Sequence, residues 1–199
     1  MARPRTFDEE RALDAAMRTF WEKGYEATST QDLCDATGLG RSSIYNTFKS
    51  KHDLFERALS RYLDAMTATH LAVLEEPGRS AAGRIRALLA QVIESEAECR
   101  AAAGRALGCL GVNTVVELGA RDPAAAALLE RDTARRLAAL RAAVEAGRRD
   151  GSITSVRDPD ALARFLNATV AGLRVSSQGG ADRAALEAMA EIAMDALTR

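Results

Sequence analysis

The chain has 199 residues, with 27 Lys and Arg against 28 Asp and Glu and a net charge of −1. That length suffices for one or two compact domains, and the near-neutral balance excludes a polycationic nucleic-acid coat while leaving room for a small basic patch. Forty-one alanines, four prolines and 5% aromatic residues predict an all-α fold.

Thr6-Phe7-Asp8-Glu9 has the form of a capping box, and Leu13, Ala16, Met17, Phe20 and Trp21 follow at helical spacing, so a first helix is expected over about 7–23 with Gly24 as its stop. A short helix opens at Thr28, Ser29 or Thr30 and ends at Gly38, and another covers roughly Arg41 to Thr47. Ser50-Lys51-His52-Asp53 caps a long fourth helix, with Leu54, Phe55, Ala58, Leu59, Tyr62 and Met66 inward, ending near Pro77-Gly78. Ile85, Leu88, Leu89 and Val92 mark a fifth helix, and Leu107, Leu110 and Val115 a shorter sixth. Asp122-Pro123 and Asp158-Pro159 each read as an N-cap with Pro at N1. The first opens a helix stopped by Gly147 and Gly151, and the second one stopped at Gly179-Gly180. A last helix runs from Asp182 and carries Leu186, Met189, Ile192, Ala193 and Leu197. About nine helices are expected, divided into domains at 1–57 and 58–199. A unit of ~55 residues is small for an independent core, which predicts that the long fourth helix joins it firmly to the rest.

Residues 30–48, TQDLCDATGLGRSSIYNTF, fit a helix-turn-helix. Leu33, Leu39 and Ile44 face inward, Cys34 is small where two helices cross, and Gly38 supplies the turn. The second helix then offers Arg41, Ser42, Ser43, Tyr45, Asn46 and Thr47, all hydrogen-bond donors. No acid lies between Asp35 and Asp53, whereas Arg41, Lys49 and Lys51 do, and Arg3 and Arg5 form an N-terminal basic arm. The same pattern also suits a bundle in which 41–47 is a solvated face; the donor-only surface, flanking lysines and capped entry helix favour DNA.

Residues 6–57 resemble the DNA-binding domain of the tetracycline-repressor (TetR/AcrR) family of bacterial transcriptional regulators. The likeness rests on Phe20-Trp21-x-x-Gly24-Tyr25, Thr28-Ser29-Thr30-x-x-Leu33, the run Thr37 to Phe48, and Lys51-His52-Asp53-Leu54-Phe55. Cys34 stands where Ala is usual. Asn46-Thr47 replaces the common aromatic-His pair, so the operator of better-known members does not carry over. The resemblance implies a ligand-responsive repressor of double-stranded operator DNA. Position and chemistry assign Ser29, Thr30, Tyr45, Thr47 and Lys51 to phosphates. Arg41 is assigned to guanine and Asn46 to adenine, with Ser42 and Ser43 as adaptable partners.

The resemblance further implies a homodimer through the last two helices, here with Leu166, Gly172, Leu173, Leu186, Met189, Ile192 and Ala193 at the interface; the alternative is that these close the chain's own core. It also implies a pocket for a small-molecule effector. Met66, His70, Leu88, Cys109, Leu110, Asn113, Leu137, Phe165 and Thr169 are the candidate lining, with Leu140, Gln91 and Asn167 beside them. Cys109 is a candidate sensor thiol or an inert buried one.

An enzyme is not expected: GxSxG, Walker A, GxGxxG and HExxH are all absent, and His52 and His70 are the only histidines. The longest apolar run, Ala124 to Leu129, is far below the roughly 20 residues a membrane helix needs. Met1-Ala2-Arg3-Pro4-Arg5 is followed by no apolar stretch of a secretion signal. Cys34, Cys99 and Cys109 lack CxxC spacing, which fits a reducing cytoplasm and neither a disulfide framework nor a metal site. No cofactor is expected.

Overall fold

The computed structural model describes residues 5–119 and 121–198, with side chains from Glu9 onward. Its elements are helices: α1 (Arg5–Lys23), α2 (Thr30–Thr37), α3 (Arg41–Phe48), α4 (Lys51–Leu74), α5 (Ala81–Ala103), α6 (Leu110–Leu118), α7 (Pro123–Asp150), α8 (Pro159–Gln178) and α9 (Arg183–Thr198). No strand occurs among the described residues. The cap expected at Thr6 and the arm of Arg3 and Arg5 lie outside the described side chains.

The start signals act where the residue types place them. Ser80 accepts from Gly83 N, Asp158 from Ala161 N and Asp182 from Ala185 N, while Asp122 Oδ1 accepts from Ala124 and Ala125 N. Each satisfies donors that the first helical turn leaves open. Two expectations fail. Leu107 lies before α6 rather than in it. Gly147 does not stop α7, which continues to Asp150. Its missing side chain serves packing instead, since a Cβ there would lie 2.5 Å from Ile153 Cδ1 and Cγ1.

The chain forms two compact units, which divide it otherwise than at 57/58. The first holds the residues up to Asp64 together with Leu110–Glu130, and the second holds Ala65–Cys109 and the residues from Arg131 on. Two of the three boundaries fall inside α4 and α7, and the third falls where α6 begins. In the first unit Ala16, Phe20, Leu33, Ile44, Phe48, Leu54 and Phe55 are almost completely buried, with Phe20 edge-on to Phe55 at 5.1 Å. The second is built on α5, α8 and α9, which pack on one another. Its core includes Ile85, Leu89, Val92, Val144, Leu166, Leu173 and Leu197.

Candidate nucleic-acid interface

Ser29 is the N-cap of α2: its hydroxyl accepts from Asp32 N at 3.1 Å and donates to Asp32 Oδ2 at 2.7 Å, and Ser29 N donates to the same oxygen at 2.8 Å. Lys23 Nζ meets Asp32 Oδ1 at 2.5 Å. That ammonium and the Ser29 donors hold the Asp32 carboxyl far below the usual carboxylate range. The hydroxyl proton and the amide of Ser29 are thereby engaged at the cap of α2, on an exposed residue. Gly38 closes α2 in the left-handed region at φ 70°, its N–H on Cys34 O.

α3 rests on Ile44 and Phe48, at 1% and 0% exposure, and turns Arg41, Ser42, Ser43 and Asn46 to solvent. The four predicted base contacts are therefore all accessible on α3. Tyr45 and Thr47 are half-buried. The Tyr45 hydroxyl lies 3.0 Å from Thr30 Oγ1 and the Arg41 guanidinium 5.8 Å from the Tyr45 ring, so Thr30, Tyr45 and Arg41 form a connected set. The Thr30 hydrogen bond, followed by the Arg41 charge, pulls the Tyr45 hydroxyl below its ordinary value. Lys51 Nζ sits 4.4 Å over the Tyr25 ring, a cation–π contact that fixes the ammonium at the start of α4.

Sequence reasoning missed two attachments in this unit. Glu117, at the end of α6, accepts from Tyr25 N at 3.0 Å and Glu26 N at 2.7 Å. Gly24, at φ 82°, lets the turn come that close, since a Cβ there would lie 3.0 Å from Glu117 Oε2. His52 is no cap; Nε2 meets Asp122 at 2.6 Å and Nδ1 meets Glu56 at 2.7 Å, while Ser50 does the capping of α4 through Asp53 N. Glu117 and Asp122 lie some 70 to 90 residues from the groups they meet, and no local pattern links them.

The expected effector residues fall in both units. Leu110 and Asn113 belong to the first unit and the other seven to the second. Leu88, like Leu140, is closed into the core, and Phe165 is 41% exposed. The Thr169 hydroxyl donates to Phe165 O. Cys109 is buried with Sγ 3.8 Å from Met66 Sδ. Leu137 lines a cleft of about 320 Å³ between α7 and α8, shared with Arg141, Glu145 and Asp160 rather than with the apolar set expected. His70 is 7% exposed, and burial, with Arg174 and Arg136 nearby, lowers its imidazole to about 4. Around it sequence reasoning overlooked a buried polar system. Arg174 meets Glu96 at 3.0 Å, Arg136 meets Asp132 at 2.9 Å, Thr67 donates to Asp132 at 2.6 Å, and Asn167 accepts from Arg136 at 2.9 Å.

The interface set also needs correction. Leu166, Leu173, Leu186 and Ala193 are 4% exposed or less and belong to the second unit's own core, so their side chains are spent within the subunit. Gly172 and Met189 are partly accessible, and Ile192 is 69% exposed. Phe165 and Val175 on α8 are exposed as well.

A helix-turn-helix with an exposed, acid-free recognition face, followed by a larger helical unit, defines a helical transcriptional regulator. Residues 12–58 match "Bacterial regulatory proteins, tetR family", and residues 81–193 match "Tetracyclin repressor-like, C-terminal domain". The chain belongs to the TetR family of bacterial transcriptional regulators, and it is not an enzyme. Among its relatives is the HTH-type transcriptional repressor ComR of Escherichia coli K12, 34% identical over 96% of this chain and 88% of that protein. Another is the HTH-type transcriptional regulator YezE of Bacillus subtilis 168, 30% identical over 99% and 100%. The solved structure of the TetR-family regulator CifR, a cysteine mutant complexed with 26-bp double-strand operator DNA, is 28% identical, covers 98% of this chain and 100% of that one, and superposes with a TM-score of 0.79. No described helix is long and apolar enough to cross a membrane.

Proposed function

We propose that this chain is a cytoplasmic repressor that binds a palindromic operator as a homodimer and is released by a small-molecule effector. The observation that carries the DNA reading is the α3 face: Arg41, Ser42, Ser43 and Asn46 exposed above a buried Ile44–Phe48 seam. A helix of this length presented on one side suits the major groove, where Arg reads guanine and Asn reads adenine. Thr30, Tyr45, Thr47 and Lys51 flank that face and take phosphates. CifR bound to its operator supports the same mode for this chain. Residues 1–57 are the DNA-reading part and 58–199 the effector and dimer part.

For the dimer, the exposed apolar residues of α8 and α9, Phe165, Val175 and Ile192, with Met189 and the small Gly172, replace the buried leucines as the contact set. For the effector, the polar system around His70 supports a site in the second unit, because buried ionic groups placed among apolar side chains give a ligand directional contacts.

Selection of bound duplexes from a random pool, followed by fluorescence anisotropy at several salt concentrations, tests this reading. The expected winner is palindromic. Arg41→Ala or Asn46→Ala each relaxes preference at one base pair by about 1–3 kcal/mol. Lys51→Ala weakens all sequences alike and lowers the salt slope by about one. Salt-insensitive or absent binding by protein shown by mass spectrometry to carry no ligand overturns it.

A further inference from the structure

Only Lys49 and Ser50 join α3 to α4. Both flanks of that link are pinned: Phe48 is fully buried, and the Ser50 hydroxyl accepts from Asp53 N at 3.0 Å as the cap of α4. The reversal therefore falls on Lys49, at φ 56° and ψ −48°. Lys49 N closes α3 on Tyr45 O at 3.0 Å, and Ser50 N donates across Lys49 to Phe48 O. Together these make a γ-turn of the rare, strained hand. Lys49 is the one non-glycine residue with positive φ among the described residues; Gly24, Gly38, Gly78, Gly104, Gly108, Gly151 and Gly180 fill the other such positions. A lysine thus stands where every comparable turn of this chain does without a side chain, and it does so at a cost in strain.

Little within the subunit offsets that cost. Lys49 is exposed, and among the described residues its ammonium meets no carboxylate and no aromatic ring. The other cations between residues 23 and 61 are all engaged. Lys23 pairs with Asp32, Arg57 with Glu9 and Asp53, and Arg61 with Asp14, while Lys51 lies over the Tyr25 ring and Arg41 over the Tyr45 ring. The C-terminal dipole of α3 attracts a cation at this position, but on a solvated side chain that attraction is heavily screened.

Resting on the DNA reading above, we propose that Lys49 is a further DNA contact, and that its strained turn is kept because it carries the ammonium to a phosphate of the operator backbone. The pinned link fixes the direction in which Cβ leaves the chain at the C-terminal end of the recognition helix. Lys51, two residues on, is fixed separately by the Tyr25 ring. Two ammoniums anchored independently, one by backbone and one by a ring, hold α3 in register against the duplex and leave Arg41 and Asn46 to read bases. A glycine at 49 would make the better turn and lose the contact, so this residue exchanges stability for affinity.

The test compares the full-length wild type with Lys49→Gly, Lys49→Met and Lys49→Arg, by thermal melting and by fluorescence anisotropy on the selected palindrome at several salt concentrations. Lys49→Gly relieves the turn and removes the charge: its melting temperature should rise by about 2–4 °C while its affinity falls about tenfold. Lys49→Met keeps the turn and removes the charge. It should melt with the wild type, lose the same affinity, and show a salt slope lower by about one for each bound subunit. Lys49→Arg keeps both and should bind within about twofold of the wild type. If the helix dipole alone retains Lys49, Lys49→Met melts lower and binds normally. Lys49→Met binding like the wild type at every salt concentration, or Lys49→Gly melting no higher than the wild type, overturns the proposal. A ligand-free wild type that binds no duplex fails the DNA reading itself and takes this assignment with it.

Discussion

His70 is held inside the second unit with 7% of its surface accessible, and its imidazole is lowered to about 4 by burial and by the facing charges of Arg174 and Arg136. Above pH 6.5 it is neutral whether the chain is folded or not. Between pH 6.5 and 4 the unfolded chain takes up a proton that the folded one declines, so stability is lost as pH falls through that window, by about 3 kcal/mol at pH 4, and levels off below it. Urea unfolding at pH 7 and pH 4.5 should show this loss for the wild type and a much smaller one for His70→Gln; identical pH dependence in both would assign the loss to other groups. His70 itself was legible as a polar interruption of an apolar face. Its neighbours were not. Glu96, Asp132, Arg136 and Arg174 lie on long helices where charge ordinarily marks solvent, and Glu96 meets its partner 78 positions away. Burial of a pair is a property of two helices, and a one-dimensional pattern reports one.

At the scale of elements, the punctuation of the chain was readable wherever it acts locally. Ser29, Ser50, Asp122, Asp158 and Asp182 cap as their residue types predict, because a cap needs only the next three amides, and Ser80, which the sequence reading did not single out, acts the same way. Gly147 shows where the same logic stops. Read as a terminator, it lies inside α7, and its role is set by Ile153, which folds back so that Ile153 N donates to Gly147 O at 2.9 Å. Gly147→Ala gains about 1 kcal/mol of helix propensity. It also drives a methyl into Ile153 Cδ1 and Cγ1 at 2.5 Å and Cβ at 3.0 Å. The branched side chain cannot retreat without moving its backbone, so the clash dominates and a net loss of about 1–2 kcal/mol is expected. A calorimetric melt checks the sign. Gly147→Ala in an Ile153→Ala background should recover most of the loss, which a purely conformational effect at residue 147 would not allow.

For the whole molecule, the proposed dimer requires a surface that joins two copies, and burial separates the candidates into two experiments. Ile192 is 69% exposed on α9, so Ile192→Asp should leave the folded subunit intact and act only on association. Leu166 is 1% exposed, so Leu166→Ala opens a cavity and should cost about 2–5 kcal/mol of stability wherever the interface lies. Sedimentation equilibrium distinguishes them: Ile192→Asp should be a folded monomer with an undiminished helical spectrum, and Leu166→Ala a destabilised protein that still self-associates while folded. The consequence reaches the DNA. Two recognition helices on one particle make the second half-site contact intramolecular, worth about 10²–10⁴ in affinity. Ile192→Asp should therefore bind a full palindrome only as tightly as a single half-site, with the base preferences of Arg41 and Asn46 unaltered. A dimer that survives Ile192→Asp would move the interface off the exposed stripe of α9, and a monomer that still binds the full palindrome at wild-type affinity would remove the need for a dimer in recognition.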